Sequence, residues 1–370
     1  MAVPTASPRP LYPPTSTGIA RYREQLTTLG IFLFLGFLPW IHIFGWTGVF
    51  DTSDNLGRGN LAYVFAYGAA AVGFNLLVGY SGTLGLAVAG LFAIGAYGTT
   101  VLSAPSGVRE AQVGYDWPFF LSLPVVCVAA AIVGIVVGFP AARLKGFFLA
   151  IATLALGELI IKIISLDEKV WSGLKTNGGT GKQVPQFRIP GLDRVESYYV
   201  LSLGALFVMM VAYTILTKRR LGRTLKAVRD IDIATGPIGI SSTYYKLVAF
   251  GLSAFAAALA GAMWAQNTSF AQPAAFRTNM LVFLLVVLIA GGLGYKWAPL
   301  IGAIFFVFIR QKLLDTQKLL FLILGIILML AVLILPSGIA SLPKRLRDSR
   351  WVKDLQRRLE RLSKSFMEQV

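Results

Sequence analysis

The stretch Lys218–Ile240, KRRLGRTLKAVRDIDIATGPIGI, lies between two long apolar runs. It carries Lys218, Arg219, Arg220, Arg223, Lys226 and Arg229, followed by Asp230 and Asp232. A run this charged cannot rest in hydrocarbon, where one Asp, Lys or Arg costs about 2.5–3.5 kcal/mol at the centre of a span. It is therefore a loop outside the bilayer, and the positive-inside bias puts it in the cytoplasm. Gly222 on one side, and Gly236, Pro237 and Gly239 on the other, bracket a helix expected from Arg223 to Ala234. Leu225, Val228 and Ile231 recur at helical spacing and are available to enter a groove on a partner.

The flanking runs belong to an integral membrane protein. Of 370 residues, 56% are hydrophobic and 14% charged, and the mean hydropathy is +0.69. Soluble domains carry about 25% charged residues. The net charge of +17 does not point to nucleic acid, because the cations sit mostly in loops and the tail, where they set topology and meet anionic lipid. Cys127 and His42 are the sole residues of their types. They exclude a disulfide framework and a Cys/His metal site, and His42 reads as an interfacial or packed histidine. There is no Walker-type phosphate loop, no HExxH and no credible Ser/His/Asp set, so no catalytic residues are assigned.

About 20 apolar residues span a bilayer as a helix. On that measure spans run over 29–49, 61–79, 83–102, 118–138, 147–166, 198–217 and 245–265. The run 279–309 is too long for one helix and is broken by GGLGYKWAP at Gly291–Pro299, which divides it into an eighth and a ninth span. A tenth covers 319–335. Arg9, Arg21 and Arg23 precede the first span while Asp51 and Asp54 follow it, which puts the N-terminus inside. From Lys344 on, the tail carries nine Lys/Arg. An even count of about ten spans, with both termini cytoplasmic, satisfies both ends, although Arg310–Lys318 is then a basic external loop.

The chain accordingly divides into a cytoplasmic arm (1–28), a transmembrane region (29–336) containing the cytoplasmic loop 218–242, and a tail (337–370). The arm shows no cleavable signal peptide. In the tail, Trp351, Leu355, Leu359, Leu362 and Phe366 fit a basic amphipathic helix lying on the membrane. Spans two to five start outside and spans seven to ten inside, so the two blocks are inverted halves.

Ion-coupled transport usually uses ionisable groups within the membrane. Here the spans hold few. Glu158 and Lys162 stand at i,i+4 on the fifth span, where they can pair with each other or line a path. Asn75 on the second span can serve a path or bond a neighbouring helix. A transporter with so few internal charges must draw energy from elsewhere, and the loop 218–242 is where an ATPase would dock.

Five stretches resemble permease subunits of branched-chain amino acid ABC importers, nearest in pattern to the LivM-type subunit. GRTLKAVRDIDIATGPIGI from Gly222 is similar to the family's ATPase-coupling loop, matching at Gly222, Arg223, Leu225, Ala227, Arg229, Ile233, Ala234, Gly239 and Ile240. GFPAARLKGFFLAIATLALGELI (Gly138–Ile160), AFGLSAFAAALAGAMWA (Ala249–Ala265), GGLGYKWAPLIGA (Gly291–Ala303) and the NGGTG of Asn177–Gly181 follow the family's other motifs in order. Pro237 departs from the pattern, as does Tyr295–Ala298.

The resemblance implies an all-α ABC importer permease fold in the plasma (inner) membrane, carrying amino acids. It implies two ATPase subunits that hold ATP and Mg, a second related permease and an external solute-binding protein, with no cofactor bound by this chain. Gly222, Arg223, Leu225, Arg229, Asp230, Ala234 and Gly239 are then the coupling residues. Asn75, Ser81, Glu158, Gly178 and Gly179 are candidates for the solute path. A urea or short-amide permease, an ion-coupled secondary transporter and a membrane scaffold are the alternatives.

Overall fold

The computed structural model describes residues 28, 30–32, 35, 55–104, 115–144, 146–165, 182–185, 187–230, 240–268, 270–312, 322–323, 325–326, 329, 333 and 338–341. Most of the first and tenth expected spans, of the N-terminal arm and of the tail lie outside the described residues, as do His42, Gly178, Gly179, Ala234, Pro237 and Gly239.

The described chain is helical apart from one two-residue strand pair. Helix α1 (Asn55–Asn75) continues into a π-helical turn (Leu76–Tyr80), and α2 (Val88–Ser103), α3 (Phe119–Ala141) and α4 (Phe147–Ile164) follow. Strand β1 (Lys182–Gln183) precedes α5 (Arg194–Lys218), α6 (Arg220–Asp230) and α7 (Ser242–Thr268). Strand β2 (Phe270–Ala271), a 3₁₀ turn (Pro273–Phe276), α8 (Thr278–Gly291) and α9 (Ala298–Lys312) complete the order up to a 3₁₀ turn at Ile339–Ser341. Among the described residues six segments are long and apolar enough to cross a membrane: Gly59–Tyr80, Phe119–Ala141, Phe147–Ile164, Arg194–Lys218, Ser242–Thr268 and Pro273–Gly291. Val88–Ser103 is a shorter apolar helix.

Helices α1 and α7 form the centre. In the most apolar window of α1, 89% of residues are buried, against 28% for α4. Helix α7 packs on α1, α2, α3 and α5, and its small residues allow this. A side chain on Gly261 would sit 2.0 Å from the Phe92 carbonyl, and one on Gly95 would sit 2.0 Å from the Ala258 carbonyl. The α2 and α7 backbones are therefore in contact, which suits a membrane, where close dispersion contact takes over from the hydrophobic effect between helices. Helices α8 and α9 meet in the same way, since a side chain on Gly302 would fall 1.9 Å from the Val287 carbonyl. Their separation by residues 292–297 matches the break expected in the run 279–309.

The outward surface is apolar, with Phe120, Val128, Ile132 and Val136 of α3 and Phe148 and Ile151 of α4 all exposed. Such a face belongs against lipid or another membrane subunit. At the end of the bundle holding the start of α3, β1 pairs antiparallel with β2. The Tyr97 hydroxyl donates to the Ala271 carbonyl at 2.9 Å, and Gln266 bridges Pro185 and Phe187. These bonds tie α2 and the segment after α4 to the end of α7 and the strand that follows it.

One boundary differs from the sequence expectation. The third span was expected from Thr83, but α2 begins at Val88 and residues 82–85 are neither helix nor strand. Thr153 Oγ1 holds this segment by accepting the Leu86 N–H at 3.0 Å. Thr153 lies six residues after Phe147, so the segment reaches about 9 Å along α4. Irregular backbone at such depth persists only where protein or water satisfies its polar groups.

Candidate functional site

The basic stretch forms a helix, and the structure shows which of its residues face which way. Helix α6 follows α5 after the single break residue Arg219. Gly222 lies inside α6, not ahead of it as the sequence suggested. The corner requires this glycine, because a side chain there would sit 2.3 Å from the Thr217 carbonyl. Gly222, Leu225 and Val228 form the buried stripe. Leu225 and Val228 are only 0% and 1% exposed, which corrects the expectation that they enter a groove on a partner. They hold α6 against the bundle instead.

Arg219, Arg220, Arg223, Lys226, Arg229 and Asp230 are all exposed, with Lys226 and Arg229 at the border where α6 meets the bundle. Arg229 sits 4.0 Å from the Asp230 carboxylate, and the described part of α6 ends there. With five cations and one acid, this surface suits an acidic partner.

The inner side of α6 rests on the π-helical turn. Arg229 Nη1 donates to the Gly79 carbonyl, and Lys226 Nζ lies 4.8 Å from the centre of the Tyr80 ring, close enough for a cation–π contact. Gly82 has φ +69° and leaves room for the Arg229 stem, which a side chain there would meet at 2.9 Å.

Asn75 and Ser81 are buried beside this contact. The Asn75 amide donates to Tyr213 Oη on α5 and to the Tyr295 carbonyl, both at 3.1 Å. Its oxygen accepts the Gly294 N–H at 2.8 Å. Ser81 Oγ donates to the Leu77 carbonyl at 2.6 Å. Asn75 thus joins α1, α5 and the α8–α9 turn.

Glu158 lies elsewhere, on α4. Its carboxylate accepts from Thr278 Oγ1 at 3.1 Å, and no ion pair joins it to Lys162 among the described residues. Both line an open cleft of about 470 Å³ with Ala155, Ser165 and Arg277. The structure therefore separates the expected residues into two places. Gly222, Arg223, Leu225, Arg229 and Asp230 share α6 with Asn75 and Ser81 beneath, and Glu158 stands apart. Sequence reasoning missed Gly79, Tyr80, Tyr213, Gly294 and Tyr295 as partners of this group. The glycines of 291–294 were the one available signal. Among the described residues no cluster of His, Cys, Asp or Glu is suited to a metal.

The family model described as "Branched-chain amino acid transport system / permease component" matches residues 59–334. The chain is 30% identical over 299 residues to the high-affinity branched-chain amino acid transport system permease protein LivM of Salmonella typhimurium, covering 74% of this chain and 67% of that protein. The Escherichia coli K12 protein of the same name matches equally. The ribose import permease protein RbsC of Haemophilus influenzae is 25% identical over 221 residues, which is 58% of this chain and 67% of that one. No solved structure matches.

Proposed function

Because the chain belongs to the branched-chain amino acid transport permease family, we propose that α6 is the helix through which a separate ATPase drives it. The chain is a multi-pass inner-membrane permease subunit of an ABC importer for branched-chain amino acids. It is a transport subunit and not an enzyme. ATP and Mg belong to its partners: two ATPase subunits, working with a second related permease and an external binding protein that delivers the solute. In this reading about ten spans leave both termini in the cytoplasm and form inverted halves. Residues 1–28 and 337–370 flank the transmembrane region, and 218–242 is the coupling loop.

The observation that carries the reading is the two-sided character of α6. Its apolar stripe is spent inside the chain, while its cationic face is open to solvent. A topogenic loop needs only its charges, whereas a helix anchored by Leu225 and Val228 can receive a push and pass it on. Gly222 sets the corner, Arg223 faces the partner, and Arg229 and Asp230 hold the far end, with Ala234 and Gly239 completing the loop. For the solute, Glu158 is the path candidate that opens onto a cleft. A charge on an otherwise lipid-ready helix face needs water or a protein neighbour, and the second permease supplies that neighbour. Asn75, Ser81, Gly178 and Gly179 are the other candidates.

The test is the double substitution Arg220→Glu with Arg223→Glu in the complete importer. Reversing two charges on the docking face should abolish co-purification of the ATPase and uptake of labelled leucine, isoleucine and valine. If the ATPase stays bound and uptake persists, the coupling assignment is wrong. A substrate panel that includes urea separates the amino-acid reading from the amide one.

A further inference from the structure

Three elements distant in sequence from the five-residue π-helical turn converge on it. From α6 come Arg229, donating to the Gly79 carbonyl, and Lys226, over the Tyr80 ring. From α5 comes Tyr213, whose ring meets that of Tyr80 edge-on at 5.6 Å. From the α8–α9 turn come Gly294 and Tyr295, through Asn75. All five residues of the turn are buried. The π-helical turn is a rare element that occurs frequently at functional sites. At its end, carbonyls lose their helical partners, and Gly79 uses this freed oxygen for Arg229.

The packing around the turn leaves no slack. A side chain on Gly79 would sit 2.5 Å from Asn75 Oδ1 and 2.8 Å from the Gly294 nitrogen. Asn75 is completely buried, and both its donor and its acceptor group are engaged. In contrast, the Arg229 side chain is half exposed at 48%, so the bond to Gly79 is made by a side chain that water reaches. Helix α6 is fixed at Gly222 by the tight corner on α5. Arg229 lies seven residues farther on, about 10 Å along the helix axis. A load on the cationic face therefore turns α6 about the Gly222 corner and acts with greatest travel at Arg229.

We propose that the turn Leu76–Tyr80, pinned by Asn75, is a latch that carries the movement of α6 to the α8–α9 turn and so to those two helices. This rests on the coupling reading of α6. Asn75, Tyr213 and Arg229 are positioning residues in this scheme and need touch no solute.

The test uses a reporter that does not depend on which solute is carried. Leu293 is exposed on the α8–α9 turn, and Cys127 is the sole cysteine and is buried. In a Cys127→Ser background of the complete importer, Leu293→Cys is labelled with a maleimide with and without ATP. ATP is expected to change the labelling rate severalfold, and Arg229→Lys or Asn75→Asp is expected to erase that change in complexes that still retain the ATPase. Arg229→Lys keeps the charge but loses the guanidinium fork, and Asn75→Asp keeps the shape but loses both donors. Tyr213→Phe, which removes one hydroxyl, replaces Asn75→Asp should the latter fail to accumulate. An ATP effect that survives in the variants overturns the latch, as does its absence in the parent. Uptake of labelled leucine is scored separately. A parent that shows the ATP effect but carries no branched-chain amino acid overturns the substrate reading and leaves the latch supported.

Discussion

Leu225→Ala distinguishes a helix held by the permease from one held by its partner. Leu225 is fully buried in the apolar cluster of the bundle. Truncating a buried leucine to alanine costs about 2–5 kcal/mol. Helix α6 has eleven residues, and isolated helices shorter than about 12–15 residues are marginal in water. The loss should therefore be taken locally, as undocking of α6, well before the transmembrane core opens. At about 1.4 kcal/mol per factor of ten, even the lower figure raises the undocked population roughly 30-fold. Hydrogen exchange of the permease purified without partners measures this directly. Amides of residues 223–230 should exchange about 30-fold faster or more, with those of α7 unchanged. If Leu225 served a groove on the ATPase, exchange in the isolated permease would stay the same and only ATPase binding would weaken. Unchanged exchange in α6 refutes the reasoning.

Two further substitutions, each paired with a control, test the core. Gly261→Val places a side-chain carbon 2.0 Å from the Phe92 carbonyl, where an ordinary contact starts at 3.4 Å. Forcing α2 from α7 should cost at least the 1–3 kcal/mol typical of overpacking, to order of magnitude, and lower the melting midpoint in detergent. Gly204→Ala, with nothing within 4 Å, is the control and should melt no lower than the parent. Thr153→Val keeps the shape but removes the acceptor for the Leu86 N–H. The orphaned donor costs about 1–3 kcal/mol, so the midpoint should fall, and Thr153→Ser should restore it.

The apolar exterior and the polar joints of the bundle follow different rules. Along α3 and α4 the exposed residues are those that lipid or a second membrane subunit tolerates. Many hydrogen bonds between distant segments collect at the two ends: those of Tyr97, Gln266 and β1–β2 at one, those of Asn75 and Arg229 at the other. Trp264 is an exception in the interior, and its indole N–H donates to Tyr67 Oη at 3.1 Å. Within hydrocarbon an unsatisfied polar group is expensive. The long apolar helices are thus locked by small-residue contact, and orientation is fixed at their ends.

The sequence read alone identified the spans now seen as α1, α3, α4, α5 and α7, the break within 279–309, and a helix in the basic stretch. Each is a property of a single segment: enough apolar residues to span, or too many charges to enter. It also placed Arg223, Leu225, Arg229 and Asp230 on one helix, because spacing is local, but set Gly222 ahead of that helix. It misjudged the direction of Leu225 and Val228, since an apolar stripe beside a membrane protein fits an internal groove and an external one equally. It could not foresee the late start of α2, which depends on Thr153 of another helix. It left two uses open for Asn75, whose partners Tyr213 and Gly294 lie 138 and 219 residues away. Hydropathy and charge act residue by residue and so are written along the chain. What the basic stretch rests on, and through which atoms, is set by contacts between distant segments. Only the packed fold decided those.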